Sequence, residues 1–290
     1  MKSVILGTGA SEGIPAPFCE CPTCTRAREM GGKYNRTRSD FLIDEESLID
    51  YGPDIYNQCV KNGISLRGLK NIFITHSHED HIFASELMLR SACRPFLEGK
   101  VKIFGSDLTL KQITHFAKQY VMPVNVGKET FFEKNYELVP LEAYKTYDIS
   151  GMKVTPIYAS HYGYGVDELG YNYIITNKEG KTFLYASDTG WYRQNTWDHL
   201  KNCGIKFDFA VIECTYGDHE LPDYLEGHFD YKNLKFALEK LEDFGNIDTT
   251  TPLYLTHICH LNTLGPDEMV DFFSSWDWNI IPGYDGLQIS

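Results

Sequence analysis

Apolar residues in this chain fall into short runs, some alternating with polar residues and some unbroken, and helical-period segments separate them. Period-two or continuous apolar runs predict strands over 3–9 (SVILGTG), 39–44, 46–52, 69–76 and 101–105. Between and after them, apolar positions three and four apart predict helices over 55–63, 81–93 and 108–121. The second half repeats the style. Strands are predicted over 152–160, 171–177, 181–188, 208–214 and 251–257, and helices over 231–244 and 265–276. There is no low-complexity tract, internal repeat or Pro/Ser-rich linker. Two successive halves of strands and helices predict an α/β architecture. It would have two sheets packed face to face with helices outside, a four-layer αββα sandwich in a single domain over 1–290.

Charge narrows the choice of partner. Lys+Arg 27 against Asp+Glu 40 leaves a net charge of −13, which counts against a general nucleic-acid binder, since that binding draws on positive charge. No apolar run is long enough to span a membrane, so no membrane partner is expected. The opening MKSVILGTGAS ends in Gly-Thr-Gly with no small-residue cleavage site after it, and reads as a first strand in a cytoplasmic protein. In that compartment the eight cysteines are better read as thiols or metal ligands than as disulfides. Cys59, Cys93, Cys203, Cys214 and Cys259 stand singly and read as small buried hydrophobes. Cys19, Cys21 and Cys24 crowd into FCECPTC (18–24), where a disulfide, a redox pair, a zinc site and incidental packing are all open at this point.

The most chemical stretch is ITHSHEDHIFA (74–84), at the end of a predicted apolar strand. His76 and His78 are two apart and share a face in extended chain. Asp80 and His81 follow as the chain turns into a helix. Imidazole and carboxylate donors at this spacing suit zinc, manganese or iron. A polar strand-to-helix turn with an Asp N-cap is the plain alternative. Other strands end similarly: His161 follows 152–160, Asp188 ends 181–188 and His257 ends 251–257. Apolar strand, then metal donor, is thus a repeated device at one rim of the sheets.

THSHEDH (75–81) resembles the T-H-x-H-x-D-H signature of the metallo-β-lactamase superfamily, and LIDYG (48–52), with Asp50, resembles its early strand-Asp-Gly element. His161, Asp188 and His257 follow in that superfamily's order. The resemblance implies the αββα sandwich and a two-metal hydrolase site. His76, His78 and His161 would hold one divalent metal; Asp80, His81 and His257 would hold the other; Asp188 would bridge them. A bridging carboxylate at that position suits the phosphodiesterase and ribonuclease branches and a bridging hydroxide nucleophile.

Three further segments narrow the branch: GTGASEGIP (7–15), GKYNRTRSDFLI (32–43) and IECTYGDHELPDYLEGHFDYKNL (212–234). With LTHICHLN (255–262) and the closing GYDGLQIS they resemble PhnP-type phosphodiesterases, which act on cyclic phosphodiesters. That likeness implies a structural zinc on Cys19, Cys21, Cys24 and His260, in a loop at about 15–35, closed and tetrahedral. It also implies that His228, in EGHFD, contacts the phosphoryl group or protonates the leaving oxygen, a role within imidazole's pKa range. His219 is the nearby competitor. Asp80, with Asp188, would orient the nucleophile, and Arg38, with Arg36, would bind phosphate or brace the loop. The chain departs from a compact PhnP-like frame by longer middle segments, 105–150 and 161–172, and the Tyr-rich HYGYGVDELGYNY (161–173) over the second would shape a pocket for a base or ribose ring by stacking. The expectation is a cytoplasmic enzyme acting on a small phosphodiester, with a homodimer common for such a scaffold. Ribonuclease Z-like, thioester or lactone hydrolysis, and a PqqB-like accessory role, are the alternatives.

Overall fold

Alternation along β10 (Thr182–Ala186) shows how the layers form: Phe183 and Tyr185 face one side, Leu184 and Ala186 the other, and all four are buried. A strand buried on both faces must lie between two apolar layers. The same holds for β11 (Phe209–Glu213) and β12 (Leu253–Thr256). The computed structural model describes residues 3–95, 97–119, 131–164, 167–261 and 263–289.

Two seven-stranded mixed sheets result. The first sheet is ordered β14-β1-β2-β3-β4-β5-β6. Its strands are β1 (Ser3–Gly7), β2 (Asp40–Asp44), β3 (Ser47–Ile49), β4 (Asn71–Phe73), β5 (Val101–Gly105), β6 (Tyr136–Pro140) and β14 (Leu287–Ile289). The second sheet is ordered β13-β12-β11-β10-β9-β8-β7. It adds β7 (Tyr147–Ile149), β8 (Met152–Tyr162), β9 (Leu169–Thr176) and β13 (Ile280–Pro282) to the three strands above. Strands β3 to β6 run parallel, as do β10 to β13.

The eight described helices are α1 (Pro22–Met30), α2 (Ile55–Asn62), α3 (Ala84–Leu87), α4 (Asp107–Gln119), α5 (Phe131–Asn135), α6 (Gln194–Asn202), α7 (Tyr231–Asp243) and α8 (Pro266–Phe273). Phe41, Phe73, Tyr173, Phe183 and Tyr185 meet between the sheets. Leu6, Leu48 and Ile72 pack outward on Ile55 of α2 and on Leu110 and Ile113 of α4. Leu184, Ala210 and Leu253 pack outward on Trp197 of α6, Leu234 and Leu238 of α7 and Met269 of α8. The predicted αββα sandwich is therefore the fold.

Most boundaries fall within a few residues of those predicted. The predicted strand over 69–76 shortens to Asn71–Phe73, because the histidine motif leaves the ladder to reach the rim. The predicted helix over 81–93 is one α-turn followed by a 3-10 segment, Met88–Ala92. Residues 120 and 121 of the predicted 108–121 helix lie outside the described residues. The 15–35 loop contains α1, with Cys21 as its N-cap and Pro22 in its first turn, a pairing suited to a helix start. Strands β6, β7, β13 and β14 and helices α1, α5 and α6 were not predicted. No described helix is long and apolar enough to cross a membrane.

Candidate active site

Most of the candidate side chains leave the C-terminal ends of parallel strands, where an open α/β sheet leaves a crevice, while His161 lies near the end of antiparallel β8. Asp50 follows β3, His76 follows β4, Asp188 follows β10, Glu213 closes β11 and His257 follows β12. Asp50, Asp188 and His257 adopt positive φ, 64°, 48° and 53°. Non-glycine residues rarely hold that conformation, and such strain collects at functional sites.

The structure brings all seven expected donors together. His76 Nε2 lies 2.9 Å from His78 Nδ1 and His161 Nε2 lies 3.3 Å from it, while Asp188 Oδ2 stands 3.6 and 3.7 Å from the two Nε2 atoms. On the other side Asp80 Oδ2 is 3.3 Å from His81 Nε2 and 3.6 Å from His257 Nε2. Asp188 joins the two groups. Its Oδ2 is 3.4 Å from His81 Nε2, and its Oδ1 is 2.9 Å from His257 Nε2.

The second ring nitrogens fix which atoms face inward. His81 Nδ1 is 2.7 Å from Asp50 Oδ2, His76 Nδ1 is 3.1 Å from Thr75 Oγ1, and His161 Nδ1 is 3.2 Å from the Gly227 carbonyl. Thr215 donates its hydroxyl to Glu213, so it accepts from His257 Nδ1 at 2.9 Å. Outer hydrogen bonds of this kind set the tautomer and leave Nε2 with a free lone pair.

These donors fit divalent cations. The Nε2 atoms of His81 and His257 are buried and make no hydrogen bond, although carboxylate oxygens lie within 3.4 Å of them. Atoms that close, yet outside hydrogen-bond geometry, have lone pairs converging on common points. Burial pushes His76 down and His161 to about 4, which keeps both neutral as metal ligation requires. Burial acts to raise Asp188 and Asp80, but facing histidines hold both well below the usual carboxylate range. Burial also acts to lower His257, and Asp188 overrides it, raising it to about 10. The field here draws a cation, as a proton on a ring or as a metal ion between rings.

His228 lies at the edge of this cluster, its ring stacked at 5.5 Å and 11° on His257 and 4.7 Å from the His161 ring. Its Nδ1 is 3.2 Å from Glu213 Oε1. Burial acts to lower its pKa, and the Glu213 charge and hydrogen bond outweigh that, so the ring is held above its ordinary value. His219 instead faces Tyr216, with ring centroids 6.1 Å apart.

Glu213 is the residue that sequence reading passed over. It is fully buried and takes hydrogen bonds from the amides of Thr189, Gly190 and Thr215 as well as from Thr215 Oγ1. It ties the Asp188 turn, His228 and the His257 support into one network. Its signal was the same as for the ligands, a carboxylate closing an apolar strand.

Arg38 is bound by Asp54 at 2.9 Å and by the Ser11 carbonyl at 3.0 Å, rather than by any of the seven donors. Arg36 is buried and braces Thr8 and the Gly283 carbonyl. Of the single cysteines, Cys214 and Cys259 are buried, Cys59 and Cys203 partly so, and Cys93 is exposed rather than buried.

A second cluster lies beside the first. The ligand atoms of Cys19, Cys21, Cys24 and His260 all lie within 4.8 Å of one another, with Cys21 Sγ 3.5 Å from His260 Nδ1. Burial acts to raise the Cys21 thiol, but hydrogen bonds from His260 and the Cys24 amide bring it to about 6, while burial pushes Cys24 up to about 12. Three thiols and an imidazole with no disulfide among them match a closed zinc site. His260 stands three residues after His257, so the cluster ties the N-terminal segment to the strand end that carries His257.

Such a fold, with donors on its strand ends, defines a class of metallohydrolase scaffold. Residues 46–258 match the beta-lactamase superfamily domain, and the chain belongs to that superfamily, whose fold implies divalent metals. Among curated relatives it is 25% identical to an octanoyltransferase of Porphyromonas gingivalis, over 99% of this chain and 51% of that protein. It is 28% identical to a ribonuclease Z of Picrophilus torridus, over 70% of this chain and 57% of that protein. The chain thus spans little more than half the length of these relatives. Among solved structures, a diphosphatase from the PhnP family superposes with a TM-score of 0.74 at 21% identity, covering 100% of this chain and 98% of the other.

Proposed function

We propose that this protein is a two-metal phosphodiesterase acting on a small, cyclic phosphodiester. The observation that carries this reading is Asp188, which stands between the two donor groups, with Oδ2 3.4–3.7 Å from His81, His76 and His161 and Oδ1 2.9 Å from His257. One carboxylate shared in this way is suited to holding two ions side by side. His76, His78 and His161 would hold one ion and Asp80, His81 and His257 the other. When bound, such a pair offsets charge on phosphoryl oxygens and makes water acidic enough to attack at neutral pH.

The chain's own residues supply the rest. Asp80 and Asp188 are held ionised and orient the attacking water and its proton. His228 stands beside the cluster with Nδ1 held by Glu213, which leaves Nε2 to carry a proton to the departing oxygen. A phosphodiester needs that proton more than a good leaving group would, because an alkoxide is a strong base. The likeness in fold to a PhnP-family diphosphatase, and in sequence to a ribonuclease Z, supports chemistry at phosphorus, and the likeness to an octanoyltransferase makes acyl chemistry the reading to separate from it. Cys19, Cys21, Cys24 and His260 would hold one structural zinc.

Two measurements check these assignments. The protein should hydrolyse bis-p-nitrophenyl phosphate and 2′,3′-cyclic nucleotides and leave p-nitrophenyl acetate and acyl thioesters nearly untouched. The reverse preference would move the reading to an acyl hydrolase. A Cys21→Ser variant should lose about one zinc per chain by elemental analysis and melt at lower temperature, since a structural zinc site contributes folding energy. Unchanged zinc content would remove the four-ligand assignment.

A further inference from the structure

Two tyrosines stand exposed at the rim beside His161, and they are held differently. Tyr162 is already engaged: its hydroxyl accepts from Arg193 at 2.6 Å, and the same guanidinium lies 5.3 Å from its ring. Tyr164 is 42% exposed and stands perpendicular to the His78 ring at 5.1 Å and 89°. Phe116 of α4 supports it from the side at 5.7 Å.

The backbone beneath Tyr164 is fixed by a buried carboxylate. Tyr164 N–H donates to Ser77 Oγ at 3.1 Å, and Ser77 lies between the two histidines of the metal motif. Ser77 donates both its amide and its hydroxyl to Glu168, which is 2% exposed, and Thr109 of α4 donates to the same carboxylate at 2.9 Å. Gly163 is required for this closure, because a Cβ there would come within 2.4–2.6 Å of the Glu168 carboxylate atoms. An uncompensated carboxylate would be costly to bury, and here three donors from two elements satisfy it. The result is an exposed aromatic residue whose backbone is tied to the segment that carries His78.

We propose that Tyr164 is a stacking platform for the nucleobase of a nucleotide-derived phosphodiester, an inference that rests on the phosphodiesterase reading and names its substrate class. A planar base on a ribose phosphate can reach an aromatic ring at the rim while its phosphate lies among the histidines. Stacking does not require base-specific hydrogen bonds, so the platform favours nucleotides as a class over non-aromatic phosphates.

The test is equilibrium binding by calorimetry to the metal-loaded protein, with AMP and ribose 5-phosphate as probes that differ only in the base. The wild type should bind AMP about 10-fold or more tightly than ribose 5-phosphate, within the range of stacking on one aromatic ring. Tyr164→Phe should keep that preference, and Tyr164→Leu should abolish it with metal content unchanged. Equal affinity for the two probes in the wild type, or a preference that survives in Tyr164→Leu, overturns the proposal. So does loss of metal in Tyr164→Leu, which would make Tyr164 a support for His78. Failure to turn over any phosphodiester would instead sink the phosphodiesterase reading, and the binding ratio is read without turnover.

Discussion

An Asp188→Asn variant should fold and lose phosphodiester turnover by about 10³-fold or more, the size expected when several kcal/mol of charge stabilisation is removed at 1.36 kcal/mol per factor of ten. Asparagine is the right substitution. Asp188 sits at φ 48°, a conformation asparagine tolerates, so the turn survives while the charge goes. The loss should reach both donor groups at once. Asp188 stands between the two groups, with Oδ2 3.4–3.7 Å from His81, His76 and His161 and Oδ1 2.9 Å from His257, and its charge raises the pKa of both His81 and His257. Elemental analysis should therefore show weakened retention of two ions, with the zinc of the cysteine cluster unchanged. If only one ion is lost and turnover stays within tenfold of wild type, the shared-carboxylate assignment is wrong.

His228→Ala should lower kcat by about 10²–10⁴-fold, the usual range for a positioned general acid, with metal content intact. Glu213→Gln refines the test. Glu213 outweighs burial to hold His228 above its ordinary pKa. A general acid works while protonated, so activity is present below its pKa and is lost as pH rises through it. Removing the Glu213 charge lowers that pKa, so the alkaline fall in kcat/KM should move to lower pH in Glu213→Gln. It should also be less pronounced in His228→Ala. Leaving groups that need no proton, such as p-nitrophenolate, should be less sensitive to His228→Ala than alkoxide leaving groups. Equal sensitivity would make His228 a phosphate contact.

Much of the site was legible because its logic is local. An apolar run that ends in His or Asp is a strand delivering a donor to a rim, and HSHEDH within one turn of chain narrows the chemistry sharply. The strands that deliver most of these donors are buried almost throughout, even where only three residues pair, so their apolar runs stand out in the sequence. What escaped was set by tertiary context. Strands β13 and β14 have three residues each and little periodicity, and are strands only because a neighbour pairs with them. Helix α6 has a polar face that masks its three buried residues, Thr196, Trp197 and Leu200. Glu213 reads as one more strand-end acid, and its role depends on the amides of Thr189, Gly190 and Thr215, the Thr215 hydroxyl and the His228 ring meeting it. Arg38 shows the converse. A phosphate-binding arginine and a bracing one look alike in sequence, and the partner that distinguishes them, Asp54, is sixteen residues away.

Two ions held around Asp188 would make this protein a phosphodiesterase. The most direct test is the rate of 2′,3′-cyclic nucleotide hydrolysis as divalent metal is returned to chelator-stripped protein, with bound metal per chain measured on the same samples. Hydrolysis should rise as two ions per chain fill beyond the one held by the cysteine cluster, and both should be lost together in Asp188→Asn. Full occupancy of two ions with no phosphodiester hydrolysis, or hydrolysis complete before they bind, would contradict the account.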